Sequence, residues 1–168
     1  MKFLKIFTIA LAACVALASC QKEDGSKQET EKSTPAVGFS FKANQTVLDA
    51  LTMTLKVDGE AINFSSQNGS GTVSLKKTSG TIEFVCINDA AKTYTEAVDL
   101  SLSVSILAGS YVNNDESTFS SVATIAANSI NSKGCPADKV SEKLTNLANA
   151  LSVSKTYTVD DSGKVAIK

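Results

Sequence analysis

Leu51, Met53, Leu55 and Val57 alternate with Thr52, Thr54 and Lys56. Side chains on a strand point to opposite faces in turn, so this stretch carries one apolar and one polar face. A strand of that kind needs a sheet around it and a second layer against its apolar side. The same period recurs along the chain. Val37, Phe39 and Phe41 predict a first strand, followed by a turn at Asn44 and Gln45. Asp58-Gly59 is a two-residue hairpin signal, after which Ile62 and Phe64 resume the alternation. Gln67 to Gly71 reads as a loop, and Val73 with Leu75 as a strand. After a turn at Thr78-Ser79-Gly80, Ile82, Phe84 and Cys86 face one way while Val85 and Ile87 face the other. Such a strand is expected to be central and covered on both sides. Leu100, Leu102, Val104 and Ile106 give a sixth strand ending near Gly109.

Beyond Gly109 the period changes. Asn113 to Ser117 reads as a turn and helix start, and Phe119, Val122, Ile125, Ala126 and Ile130 fall at helical spacing. Gly134 stops that helix, and Pro136 suits the first turn of the next. There, Val140, Leu144, Leu147, Ala148 and Leu151 form one stripe, with Lys139, Glu142, Lys143 and Asn146 opposite. Val153, Tyr157 and Val159 return to strand, Asp160 to Gly163 turn, and Val165 and Ile167 close a hairpin. The expected fold class is α+β. It comprises an antiparallel sheet or sandwich, two consecutive helices at about 117–131 and 137–151 packed on it, and a C-terminal hairpin.

The first residues are of a different kind. Lys2 and Lys5 precede an apolar run from Ile6 to Ala18 broken by Thr8. That run is shorter than the roughly 20 residues a spanning helix needs, so it reads as a secretory leader over residues 1–19. Leu17-Ala18-Ser19-Cys20 resembles the bacterial lipobox at all four positions. The resemblance implies cleavage between Ser19 and Cys20 and acylation of Cys20 with two or three chains, palmitate among them. One acyl chain holds a protein only marginally, whereas two or three anchor it stably. Gln21-Lys22-Glu23-Asp24 resembles the export signal of Bacteroidota lipoproteins, which implies an outer-membrane, cell-surface location. Residues 20–36 contain hardly an apolar side chain after the cysteine and are expected to be a flexible tether. Residues 37–168 are then a single domain. Lys56-Val57-Asp58-Gly59 and Gly109-Ser110-Tyr111 resemble pieces of β domains in Bacteroidota lipoproteins. That likeness implies a class and no activity.

Composition narrows the chemistry. The chain has no His and no Trp, and its 16 basic residues are all Lys. Removal of Lys2 and Lys5 leaves 14 Lys against 17 acidic residues, a net charge of −3. Nucleic acid selects basic, usually Arg-bearing surfaces, so it is not an expected partner. Without His, acid–base and thiol catalysis lose their commonest base. The carboxylates at 58, 60, 89, 115, 116, 160 and 161 sit at expected turns or on polar faces. Ser152-Val153-Ser154-Lys155 contains Ser-x-x-Lys, at a helix-to-strand junction, where chance explains it. Asn113 to Glu116 and Asp160 to Gly163 offer clustered oxygens but lack EF-hand spacing, so turn chemistry accounts for them. No metal site, cofactor or catalytic set is expected. With Cys14 removed and Cys20 acylated, Cys86 and Cys135 remain. Outside the cytoplasm a disulfide between them is the natural expectation.

The expected function is therefore a lipid-anchored, non-catalytic binding or accessory module. Its partners are the bilayer, through Cys20, and an unidentified protein or glycan. The alternatives are a structural envelope protein and a lipid- or lipoprotein-handling domain with an apolar cavity. A hydrolase is the weakest reading.

Overall fold

The computed structural model describes residues 32–89 and 91–168. The leader, Cys20 and the residues 21–24 read as an export signal lie outside the described residues, as does most of the expected tether. The elements are β1 (Ser33–Ala43), α1 (Gln45–Leu48), β2 (Leu51–Val57), β3 (Glu60–Asn63), β4 (Asn68–Ser74) and β5 (Ser79–Asn88). They continue as β6 (Val98–Val112), β7 (Asp115–Cys135), α2 (Ala137–Leu151), β8 (Val153–Val159) and β9 (Val165–Ile167). All strand pairs are antiparallel. They form a four-stranded sheet ordered β4-β1-β6-β7 and a five-stranded sheet ordered β3-β2-β5-β8-β9. The class is α+β and sandwich-like, as the alternation implied.

Phenylalanines join the two sheets. Phe64, just past β3, stacks on Phe41 of β1 with ring centroids 4.5 Å apart, and lies 5.6 Å from Phe84 of β5. Around it the inward residues of β2 (Leu51, Met53, Leu55, Val57) and β6 (Leu100, Leu102, Val104, Ile106) share one core. The Asp58-Gly59 hairpin forms as expected. Val57 pairs with Glu60, and both turn residues have positive φ (52° and 91°), as a type I′ turn requires. Helix α2 matches its expected span. Val140, Leu144, Leu147, Ala148 and Leu151 are all buried and fill the space between the helix and its neighbours β5 and β7.

Four expectations are corrected. Residues 117–131 are not a helix but part of β7, a strand of 21 residues. Asn113 and Asn114 take φ of 55° and 59° and form a second tight hairpin, with Val112 paired to Asp115. Register then shifts repeatedly against β6. Val122 and Ile125 are each an extra residue between paired neighbours. Each insertion flips the side-chain parity. The apolar positions 119, 122 and 125 thus fall three apart, which imitates a helical period. Second, Asn68 to Gly71 is strand, not loop. Gly69 and Gly71 stand opposite Phe41 and Phe39 and lie against those rings. The glycines there make room for aromatics rather than for a turn. Third, β5 is central but not covered on both faces, because Ile87 is 58% exposed. Fourth, β1 begins at Ser33, so residues 33–36 of the expected tether belong to the sheet.

The structure also leaves Cys86 and Cys135 as free, buried thiols. The helix between them explains the separation. Ser152, just past the end of α2, bonds the Cys86 backbone, donating to its carbonyl oxygen and accepting from its N–H, both at 3.0 Å. Cys135 lies at the other end of the same 15-residue helix. A helix of that length spans about 22 Å, and a disulfide needs Cα atoms within about 7 Å.

Candidate functional site

The outer face of the four-stranded sheet is built almost wholly of small side chains. Val37, Phe41 and Ala43 of β1 point into the core, so Ala36, Gly38, Ser40 and Lys42 point out. Register extends this face across the neighbours. Ser40 stands between Ser70 of β4 and Ser105 of β6. Gly38 stands between Thr72 and Leu107, and Ala36 between Ser74 and Gly109.

Two aromatic rings lie on this face. Tyr111 spans from β6 to β4, its hydroxyl 2.8 Å from Ser74 Oγ. Phe119 of β7 rests on Gly38, so closely that a Cβ there would meet the ring at 2.7 Å. Phe119 reaches that position because β7 leaves the regular ladder. Tyr111 lies between the paired residues Ser110 and Val112, while four residues of β7, 116–119, lie between their partners Ser120 and Asp115. The excess backbone rises over the sheet and is tied by Thr118, whose hydroxyl donates to the Asp115 carbonyl at 2.7 Å and accepts from Val112 N–H at 2.9 Å.

Beside Phe119 this leaves a groove of about 400 Å³. Its floor is Gly38, Ser40, Ser70, Thr72 and Ser105; Leu107 and Phe119 supply the apolar surface, and Glu116 and Ser117 stand at the rim. The volume lies in the range of ligand sites. Glu116 is the one charged residue in the lining. A second groove of about 360 Å³ runs between β7 and α2, along Asn128, Ser129, Lys143 and Asn146. There Lys143 Nζ donates to Ser132 Oγ at 3.0 Å.

Of the side chains singled out for chemistry, Glu116 lines this groove; Asp115, Asp160, Ser152 and Cys86 are engaged elsewhere. Asp115 accepts from Ser117 N–H and hydroxyl at 3.0 and 2.6 Å, which lowers its pKa. Asp160 is bound likewise by Ser162 and by Lys164 N–H and is also lowered. Both carboxylates thus organise turns. Ser152 spends its hydroxyl on the Cys86 backbone. Burial pushes the Cys86 thiol up to about 11, the opposite of an activated nucleophile. Among the described residues, no group of three His, Cys, Asp or Glu is placed to hold a metal ion. Nor is any described helix long and apolar enough to cross a membrane.

Sequence reasoning missed two other side chains. Asn44 caps α1 and pins the β1–α1 corner to β6. Its Oδ1 accepts from Val47 and Ser101 N–H at 3.3 and 3.2 Å, and its Nδ2 donates to the Asp99 carbonyl at 2.7 Å. Asp58, read only as a turn residue, accepts a hydrogen bond from the hydroxyl of Tyr157 at 2.5 Å. Tyr157 is 1% exposed. Burial first, then that bond and the Asp58 charge, raise the phenol above its ordinary value. The folded state therefore favours the neutral phenol. This stability is complete below the unfolded value of about 10 and is lost as pH rises above it. Cys86, raised from 9.0 to about 11, adds a loss of the same sign that begins near 9. Between pH 8 and 11 the urea midpoint of the wild type is expected to fall more than that of the Tyr157→Phe, Cys86→Ala double variant. Equal falls would refute this linkage.

The small-residue floor could have been suspected from the Ser and Thr on the polar faces of β1, β4 and β6, but its aromatic wall could not, because Phe119 lies in the segment that reads as helix. No family model matches the chain, and neither a curated protein nor a solved structure matches it.

Proposed function

We propose that this chain is a lipid-anchored outer-membrane lipoprotein, displayed at the cell surface, whose folded domain is a non-catalytic binding module. The lipobox Leu17-Ala18-Ser19-Cys20 and the following Gln21 to Asp24 support the location. The observation that carries the binding reading is the groove walled by Phe119 on the outer face of the four-stranded sheet. A sheet face left to water is normally flat. Here the chain spends four residues of β7 against one of β6 to raise a wall beside a floor of small side chains. The space beneath α2 is filled by that helix's own stripe, which favours a surface groove over an internal lipid cavity. Asp115 and Asp160 are engaged in their own turns, which favours binding over hydrolysis.

Two measurements test this. Cys20→Ala is expected to abolish acyl labelling and move the protein from the membrane to the soluble fraction; continued membrane partition would sink the anchor. For the binding module, the lipidated protein in nanodiscs is screened by NMR against a library of small polar and apolar fragments. Shifts are expected to cluster on Gly38, Ser40, Ser105 and Phe119. Shifts scattered over the surface would refute the site.

A further inference from the structure

We infer that the groove's occupant is a neutral, polyhydroxylated chain, that is, a glycan; this rests on the binding-module reading above. Ser70, Ser40 and Ser105 stand directly opposite one another on three adjacent strands. Neighbouring strands lie about 4.8 Å apart, so the three serines form a row with about that repeat. Thr72 adds one more hydroxyl to the same groove; that of Ser117 is already donated to Asp115. A hydroxyl both donates and accepts, and so matches a partner whose groups do the same. Phe119 and Leu107 offer apolar surface at the row's side, suited to the C–H face of a sugar ring. Glu116 at the rim is a two-oxygen acceptor for further hydroxyls.

The other ligand classes fit less well. An acyl chain would cover the hydroxyls of Ser40, Ser70, Thr72 and Ser105 and return no hydrogen bonds, at a cost for each. An anionic ligand would meet Glu116 with no lysine in the lining to offset it. An extended peptide binds sheets by adding to an edge and using free backbone groups. The floor of this groove runs across β4, β1 and β6; β1 and β6 are bonded on both sides and only β4, at the margin, has a free edge, so a peptide lying over the floor would find mainly side-chain hydroxyls.

The test titrates the lipidated protein in nanodiscs with neutral gluco-, xylo- and chito-oligosaccharides. Oligogalacturonate, a Gly/Ser peptide and a fatty acid serve as the other arms. Neutral oligosaccharides are expected to bind and to shift Gly38 and Ser105. Phe119→Ala is expected to weaken binding about tenfold or more. Because that variant also takes from β7 the ring that rests on Gly38, the triple Ser40→Ala, Ser70→Ala, Ser105→Ala variant is measured beside it. It is expected to keep the wild-type melting profile and lose about tenfold in affinity. Oligosaccharide affinity unchanged in both variants would overturn the inference. Binding of the peptide, fatty acid or polyuronate in the groove, with no neutral oligosaccharide binding, would overturn the glycan and leave the binding module standing. A groove silent to every probe and fragment would remove both.

Discussion

Gly109→Ala is expected to destabilise the domain by about 3 kcal/mol, the upper end for forcing a methyl into filled space. A Cβ at Gly109 would lie 2.0 Å from the carbonyl oxygen of Ser120 and 2.9 Å from the Cα of Ser121. Both are backbone atoms of β7, so no side-chain rotation relieves the clash. One strand must move. β6 is held between β1 and β7, with an unbroken ladder to β1 from Val112 to Leu102. β7 is an edge strand, already irregular at this point. The strain therefore falls on β7 and on the raised segment that carries Phe119. Urea unfolding of wild type and variant gives the test. For a slope of about 2 kcal/mol per molar, the midpoint is expected to drop by about 1.5 M. A second consequence separates this mechanism from general damage. Phe119 should lift from Gly38, and NMR shifts of Gly38 and Ser40 should change more than those of the distant β8–β9 hairpin. A variant as stable as wild type, with these shifts unmoved, would show that the close approach is not needed.

That prediction touches the part of the chain where sequence reading and structure part company. Alternation at residues 51–57 and 100–106 located β2 and β6, because every second residue there faces one core and nothing interrupts the parity. Asp58-Gly59 disclosed its hairpin because only a few residue pairs adopt two positive φ values in succession. Helix α2 disclosed its span because its five apolar residues follow a single face. β7 fails each of these conditions. Its extra residues at Val122 and Ile125 reset the parity, so no period of two survives in the sequence. Asn113-Asn114 is a weaker hairpin signal than Asp-Gly, although asparagine tolerates positive φ. The candidate site was illegible for a further reason. Ser40, Ser70 and Ser105 are brought into one row by strand register, and register is a property of the pairing rather than of any one stretch. The disulfide expectation failed because compartment chemistry says which cysteines are free to bond, while distance along α2 decides whether they meet.

The second large effect is expected at Phe64. It is 5% exposed and belongs to no strand, lying just past β3 with its N–H donated to the Met53 carbonyl at 2.9 Å. Its ring meets Phe39 at 5.4 Å and Phe41 at 4.5 Å from one sheet, and Phe84 at 5.6 Å from the other. Four rings thus share one cluster, and Phe64 is the member in contact with all the rest. Phe64→Ala is expected to cost about 3–5 kcal/mol, from lost burial and from a cavity that the sheets cannot close independently. Aromatic geometry adds about 0.5–1.5 kcal/mol for such a pair beyond area alone. Phe64→Leu refills most of the volume without the ring and is expected to recover more than half of the loss. Since domains of this size are stable by about 5–15 kcal/mol, the alanine variant should sit near the edge of folding. Chemical denaturation with tyrosine fluorescence measures all three proteins. If Phe64→Ala lost under about 1.5 kcal/mol, well below the range for a buried Phe, the ring would be an ornament of the loop. The two sheets would then be held by the aliphatic rows of β2 and β6 alone. If leucine proved no better than alanine, stacking rather than volume would be the source of the coupling.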